Sequence, residues 1–189
     1  MTPELSRQLN AVGLLLISSI LIAAFVDQFV FGSLPCPLCL LQRVGFLAVG
    51  FGLSLNILFG PRPRHYALMI LAAFFGLMVS VRHILLHIVP GSETYGGLVL
   101  GLRLYTWAAI FFCLIILGSA IMLLFRRQYQ DPTWDDVGPM PTELGKLALG
   151  VIVALGVVEA VSTLLLCGFW ACPDNPTSYT LLSNLLPSH

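Results

Sequence analysis

The stretch LYTWAAIFFCLIILGSAIMLLF, residues 104–125, decides the fold class. It contains no charged residue and reaches the roughly 20 apolar residues that a helix needs to cross the core of a bilayer. Its apolar residues are continuous instead of alternating, which favours a helix over a strand of a membrane barrel. This stretch therefore predicts a membrane-spanning helix, and the rest of the chain repeats the pattern.

Five apolar runs lie along the chain, at residues 11–34, 38–59, 66–89, 104–125 and 147–168. Of the 189 residues, 58% are hydrophobic and 10% are charged, against about 25% charged residues in an ordinary soluble domain. We therefore predict a single all-α membrane domain, a bundle of about five transmembrane helices in contact with lipid. A polar linker at 126–146 and a tail at 169–189 complete it. A cleaved signal peptide is the weaker interpretation of the first run, because Glu4 offsets its one flanking base, Arg7.

The basic residues predict how the bundle is oriented, since Lys and Arg near helix ends prefer the cytoplasmic side. One face holds six of them: Arg7, Arg62, Arg64, Arg126, Arg127 and Lys146. The opposite face holds Arg43 and Arg103. The N terminus and the linker are therefore expected in the cytoplasm, and the tail is expected outside. Nine basic and nine acidic residues cancel over the whole chain, which argues against a nucleic-acid partner.

Four of the five cysteines lie at the predicted outer ends of helices: Cys36, Cys39, Cys167 and Cys172. Thiols that face a bacterial periplasm or another oxidising lumen can form stable disulfides. A C-x-x-C spacing alone suits a zinc site, a haem attachment or a redox pair. Haem attachment needs a histidine after the second cysteine, but residue 40 is Leu, and the C-x4-C spacing of the second pair fits zinc poorly. The fifth cysteine, Cys113, is expected to be a buried apolar filler.

Arg43 favours the redox interpretation of Cys36 and Cys39. If a helix begins near Pro37, Arg43 lies one turn beyond Cys39 on the same face. A helix N-terminus and a guanidinium both stabilise a thiolate, which makes Cys39 the expected activated sulfur. The alternative is that Arg43 only anchors the helix by extending its charge to the interface.

Two stretches resemble a known family, PCPLCLLQR at residues 35–43 and RHILLH at residues 82–87. They are similar to segments of the disulfide bond formation protein B (DsbB) family, and the resemblance covers residues 11–125. Members are inner-membrane quinone reductases that reoxidise a periplasmic thiol oxidase and pass the electrons to ubiquinone or menaquinone. The resemblance implies a protein-disulfide oxidoreductase of the bacterial inner membrane. Its fold would be a four-helix DsbB-like core with one additional C-terminal helix, and its partner a DsbA-like protein of thioredoxin fold.

The resemblance also implies roles for single residues. Cys39 would face the quinone, and Cys36 would exchange with the second cysteine pair. The quinone itself would contact four polar side chains: Arg43, Gln42, His83 and His87. No metal ligand belongs to the site on this interpretation.

The chain departs from the family pattern in the position of its second cysteine pair. The connection at residues 90–103, where the family normally carries that pair, has no cysteine. We hypothesise that Cys167 and Cys172 replace it as the shuttle to the partner, with Cys172 as the target of the incoming thiolate. A fixed disulfide that ties the tail to the fifth helix is the alternative.

Three charged residues within apolar runs, Asp27, Arg82 and Glu159, lie at similar depth and are expected to form one cluster. That cluster would join three helices or conduct protons. Two rival functions also stay open. One is a membrane haem or metal carrier that uses the cysteines with His83 and His87. The other is a non-catalytic scaffold with structural disulfides.

Overall fold

The computed structural model describes residues 2–88, 97–129, 141–174 and 176–181. Within these residues the chain forms five α-helices, all long and apolar enough to cross a membrane: α1 (Pro3–Phe29), α2 (Pro37–Phe59), α3 (Pro63–Leu86), α4 (Leu104–Leu124) and α5 (Glu143–Cys167). Two short antiparallel strands, β1 (Leu98–Val99) and β2 (Leu102–Arg103), precede α4, and a 3-10 helix (Arg126–Tyr129) follows it. The predicted all-α membrane fold is confirmed. The predicted connection at 90–103 and linker at 126–146 lie partly outside the described residues, as does the tail.

Proline begins three of the five helices, at the first turns of α1, α2 and α3. Proline suits this position because the first amides of a helix lack intrahelical partners and its φ angle is already helical. The Thr142 hydroxyl instead caps α5 by accepting a hydrogen bond from the Gly145 amide at 3.2 Å. These local signals place the helix starts close to the apolar runs.

The first helix differs most from its predicted run, because it begins at Pro3 instead of residue 11. Its first turns carry buried polar side chains that bond to other elements. The Ser6 hydroxyl donates to Gln128 Oε1 at 2.6 Å, Asn10 Nδ2 donates to the Tyr66 hydroxyl at 2.9 Å, and Arg7 Nη2 donates to the Ile57 carbonyl at 2.9 Å. Satisfied polar groups extend the helix beyond the apolar pattern. At the other end, α1 stops at Phe29 instead of residue 34, shortly before Gly32 turns the chain with φ +70°.

The helices pack as neighbours in chain order from α1 to α4, and α5 returns to lie against α1 and α2. Their shared core includes Leu14, Val49, Tyr66, Phe112 and Ile152. The first four helices form the expected core, and the fifth is an addition on the α1 side. This arrangement leaves α2, which begins at the C-x-x-C stretch, between α1, α3 and α5.

Helices α3 and α4 meet at Gly76, where the ring of Phe112 fills the space that a side chain would need. Phe112 is fully buried and stacks on Phe46 of α2, with ring centroids 4.1 Å apart. A Cβ atom at Gly76 would overlap the Phe112 ring. Three helices therefore depend on the absence of a side chain at residue 76.

We expect Gly76→Ala to destabilise the bundle by about 1–3 kcal/mol, the usual cost of overpacking a filled core. Gly118→Ala in α4 is the matched control, because nothing lies within 4 Å of its added methyl group. The midpoint of thermal unfolding in detergent measures both. Adding Phe112→Leu to Gly76→Ala should recover part of the loss. Equal midpoints for the two glycine variants would contradict the close approach.

Candidate functional site

The two cysteines of the C-x-x-C stretch meet at the N-terminus of α2. Cys36 is the N-cap residue, and its sulfur accepts a hydrogen bond from the Cys39 amide at 3.3 Å. Pro37 occupies the first turn, so the predicted helix start is confirmed. The Sγ atoms of Cys36 and Cys39 lie 2.8 Å apart as free thiols. A small rotation of either side chain would bring them to disulfide distance.

The groups that favour a thiolate surround Cys36, whereas the sequence analysis expected them around Cys39. Cys36 is 4% exposed, and its sulfur lies 3.9 Å from Nε2 of His83. The hydrogen bond with the Cys39 thiol lowers the pKa of Cys36 against the opposing effect of burial, and His83 lowers it further. The helix N-terminus acts in the same direction. Cys36 is therefore the more easily ionised sulfur of the pair.

Arg43 is held inside the bundle by α1 and α5. Its Nη1 donates to Gln28 Oε1 at 2.6 Å and pairs with Glu159 Oε2 at 3.4 Å. Its Nη2 donates to the Ala24 carbonyl at 2.9 Å, and its guanidinium lies 4.9 Å from the centre of the Phe25 ring. The side chain is buried, so the alternative of a charge extended to the interface does not describe it.

Gln28 is the functional residue that sequence reasoning missed. It is 2% exposed, and its amide connects three elements. While Oε1 accepts from Arg43, Nε2 donates to the Ser162 hydroxyl at 2.7 Å and to the Tyr179 hydroxyl at 3.1 Å. The available signal was a single glutamine within an apolar run, because an amide in that position needs buried partners.

The predicted cluster of Asp27, Arg82 and Glu159 is wrong. Glu159 is buried and pairs with Arg43, which belongs to the C-x-x-C helix. Arg82 is exposed on α3, while Asp27 is half-buried and lines a cavity. The prediction rested on counting positions inward from the helix ends, and such a count does not specify which face of a helix a residue occupies.

The two histidines of α3 have different surroundings. His83 is fully buried, stacks on Tyr105 with centroids 4.3 Å apart, and has its Nδ1 3.5 Å from Gln42 Nε2. His87 ends the helix, and its Nδ1 donates to the His83 carbonyl at 2.9 Å. Nδ1 of His87 is thus used in a local bond, while His83 faces the Cys36 sulfur. The i, i+4 spacing brings the two rings into contact, with centroids 4.8 Å apart.

A cavity of about 420 Å³ opens beside the C-x-x-C pair, between α1, α2, α4 and the β1–β2 turn. Its walls are mostly apolar, with aromatic side chains contributed by Phe46, Tyr105, Trp107 and Phe111. The groups that bring chemistry to it are Cys39, Gln42, Arg43 and Asp27. Three of the predicted site residues, Cys39, Gln42 and Arg43, therefore border one cavity. His83 instead lies beside the Cys36 sulfur.

The second cysteine pair forms a disulfide, Cys167–Cys172, at the end of α5. Gly168 ends the helix with φ +68°, a conformation that glycine adopts readily, and the chain turns back to Cys172. Cys167 is buried against Leu40, the residue after Cys39, and Cys172 packs on the same cluster. The fold thus brings both cysteine pairs to one end of the bundle.

Cys113 is exposed, so its prediction as a buried filler is wrong. Helix α4 buries only a narrow face, formed by Tyr105, Ala108, Phe112 and Ser119. Because α4 is apolar on all sides, its hydrophobic pattern could not distinguish the face toward the core from the face toward lipid.

Fold and site together define a class: a helical membrane protein with a C-x-x-C pair at a helix N-terminus, beside an apolar cavity. The family model for disulfide bond formation protein DsbB matches residues 6–97. A disulfide bond formation protein B of Marinobacter nauticus is 32% identical over 166 residues, which covers 68% of this chain and 97% of the relative. The chain belongs to the DsbB family and is a membrane protein of disulfide formation.

Other relatives match over shorter stretches. The disulfide bond formation protein B of Chromohalobacter salexigens is 36% identical over 89 residues, 44% of this chain and 52% of the relative. That of Methylococcus capsulatus is 38% identical over 95 residues, 48% of this chain and 58% of the relative. The chain spans about half the length of these two relatives. No solved structure matches it.

We expect Glu159→Gln to lower the stability of the protein by about 3 kcal/mol, because it leaves the buried Arg43 charge without its carboxylate. Glu143→Gln is the matched control, since Glu143 pairs with Lys146 on the exposed surface. Thermal unfolding of the purified protein in detergent compares the two. A smaller loss for Glu159→Gln than for Glu143→Gln would show that the buried pair does not hold α5 to α2.

Proposed function

We propose that this protein is a thiol:quinone oxidoreductase of the bacterial inner membrane, with its N terminus in the cytoplasm and its cysteine pairs in the periplasm. Its role would be to reoxidise a periplasmic DsbA-like thiol oxidoreductase and to pass the electrons to ubiquinone or menaquinone. The observation that carries the proposal is that Cys39 and Arg43 border the same apolar cavity. Membership in the family supports the general reaction.

The cavity residues fit a quinone by size and chemistry. A volume of about 420 Å³ lies within the roughly 300–1,000 Å³ of small-molecule sites. Aromatic walls suit a flat ring, while Arg43 and Gln42 offer donors for its carbonyl oxygens. When bound, the quinone supplies the two-electron oxidising power of the reaction.

The chain's own residues would then bring the two sulfurs together and balance the charge. Cys36 is the more easily ionised sulfur, and it is placed to form a bond with the Cys39 sulfur. The electron pair would leave Cys39 toward the cavity. Forming that disulfide releases two electrons and two thiol protons. Arg43 offsets negative charge that develops at the cavity.

Electrons would reach Cys36 and Cys39 through the second pair. The partner's dithiol reduces Cys167–Cys172, and the resulting thiols reduce the Cys36–Cys39 disulfide, so each exchange conserves two electrons. The packing of Cys167 and Cys172 around Leu40 supports a short path between the pairs. Cys172 is half-exposed and Cys167 is buried, which makes Cys172 the accessible target for an incoming thiolate.

Quinone reduction by a reduced thiol partner tests the reaction. Cys39→Ser should abolish it, because no disulfide can form with Cys36. Replacing Arg43 and Glu159 together by leucine removes the guanidinium without leaving a buried charge, and should slow the reaction by roughly 100-fold. Cys113→Ser, on the exposed face of α4, is the control and should retain full activity. Full activity in the Cys39 variant would refute the mechanism.

A second experiment separates the relay from a structural disulfide. The double variant Cys167→Ser with Cys172→Ser should lose oxidation of the protein partner. It should keep quinone reduction driven by dithiothreitol, because a small dithiol can reach Cys36 and Cys39 directly. If the disulfide only ties the tail to α5, partner oxidation persists, or both activities fall together with thermal stability. The non-catalytic scaffold predicts no turnover of quinone in any variant.

A further inference from the structure

Three potential metal ligands converge at the N-terminus of α2. The sulfurs of Cys36 and Cys39 and Nε2 of His83 all lie within 4.8 Å of one another. Cys36 and His83 are buried, and Cys39 borders the cavity. The sequence predicted a quinone contact for His83 and no metal ligand, with a haem or metal carrier that uses the cysteines, His83 and His87 as a rival function. The structure instead places the His83 imidazole against the sulfur pair.

The distances between these atoms lie within about 1 Å of those around a tetrahedral zinc ion. Zn–S bonds of about 2.3 Å and Zn–N bonds of about 2.0 Å imply about 3.8 Å between two sulfurs and about 3.5 Å between sulfur and nitrogen. The observed separations are 2.8 Å between the sulfurs and 3.9 Å from Cys36 Sγ to His83 Nε2. Movement of the Cys39 sulfur by about 1 Å away from Cys36 would bring the distance between the sulfurs to the tetrahedral value. A water molecule from the cavity can take the fourth position.

The other nitrogen of His83 already has a partner. Its Nδ1 lies 3.5 Å from the side-chain amide of Gln42. If the Gln42 amide nitrogen faces Nδ1, it donates to that atom, and the ring proton is then on Nε2. The ring in that case presents an N–H group to Cys36. With the amide turned over, the Gln42 oxygen accepts from Nδ1–H, and the lone pair of Nε2 then points toward the Cys36 sulfur as a metal ligand would. A hydrogen bond at the distal nitrogen is how proteins usually orient a metal-binding histidine.

We propose that the reduced Cys36–Cys39 pair and His83 form a binding site for a soft metal ion, and that the preferred ion is Zn²⁺. Two thiolates and an imidazole prefer Zn²⁺ to Mg²⁺ or Ca²⁺, which take oxygen ligands. Binding releases the two thiol protons and moves no electron. The Cys36–Cys39 disulfide has no thiolate to offer, so the site exists only in the reduced state. If the proposed function holds, Zn²⁺ stops turnover by holding the pair reduced.

Direct binding of Zn²⁺ to the full chain tests this site without quinone or partner. The protein carries Cys113→Ser, Cys167→Ser and Cys172→Ser, so that no other thiol competes. After reduction by a phosphine, it should remove one equivalent of Zn²⁺ from a chromophoric chelator. His83→Gln and Gln42→Leu should each weaken binding by about 10–100-fold, and excess Mg²⁺ should have no effect. Binding that is equally tight in the oxidised protein or in His83→Gln overturns the proposal.

Two further measurements separate a failure of the metal site from misfolding of the variant and from a failure of the proposed function. If the triple variant does not fold, Co²⁺ added to the reduced parent should give thiolate charge-transfer absorption that changes in His83→Gln; an identical spectrum refutes the site. In turnover assays, Zn²⁺ should inhibit the reduced enzyme, and His83→Gln should relieve that inhibition by at least about 10-fold. A parent that binds Zn²⁺ but never reduces quinone would contradict the proposed function and leave the metal site intact.

Discussion

The buried charge of Arg43 is the constraint on which the rest of the structure depends. A guanidinium inside an apolar bundle needs both a counter-charge and hydrogen-bond acceptors, because an unpaired charge there costs several kcal/mol. Glu159 of α5 supplies the charge, and Gln28 and the Ala24 carbonyl of α1 supply acceptors. These contacts hold α1 and α5 against α2. They also leave Arg43 bordering the cavity, where its charge is available.

The start of α2 adds a second constraint. The first amides of a helix have no intrahelical partners. Here the Cys36 sulfur accepts a hydrogen bond from one of them, the Cys39 amide. The capping geometry requires the Cys36 side chain to fold back over Cys39, so the two sulfurs meet at 2.8 Å. Helix capping and disulfide formation thus both require the Cys36 side chain to lie close to Cys39. His83 of α3 then closes the far side of the pair.

The sequence was sufficient for features that depend on local signals. Apolar runs predicted five helices, and Pro37 predicted the start of α2, because helix length and proline geometry are properties of short segments. The partners of Arg43 were missed, since Gln28 lies 15 residues away and Glu159 lies 116 residues away. Their meeting depends on which face each helix presents, and residues in continuously apolar helices do not reveal that face. The same ambiguity explains the wrong prediction for Cys113.

Helix α5 combines two tasks that the proposed relay would need together. Glu159 and Cys167 lie eight positions apart on it, about 12 Å at helical rise. The helix that neutralises the charge of Arg43 therefore also fixes the position of the second cysteine pair along the bundle. Tyr179, which follows that pair, returns to the Gln28 amide that holds Arg43. The tail is thereby connected to the cavity through two hydrogen bonds. In the proposed relay, a cysteine pair carried by α5 is positioned by the same contacts that stabilise the charge beside the quinone, which gives a physical reason for placing the pair on this helix.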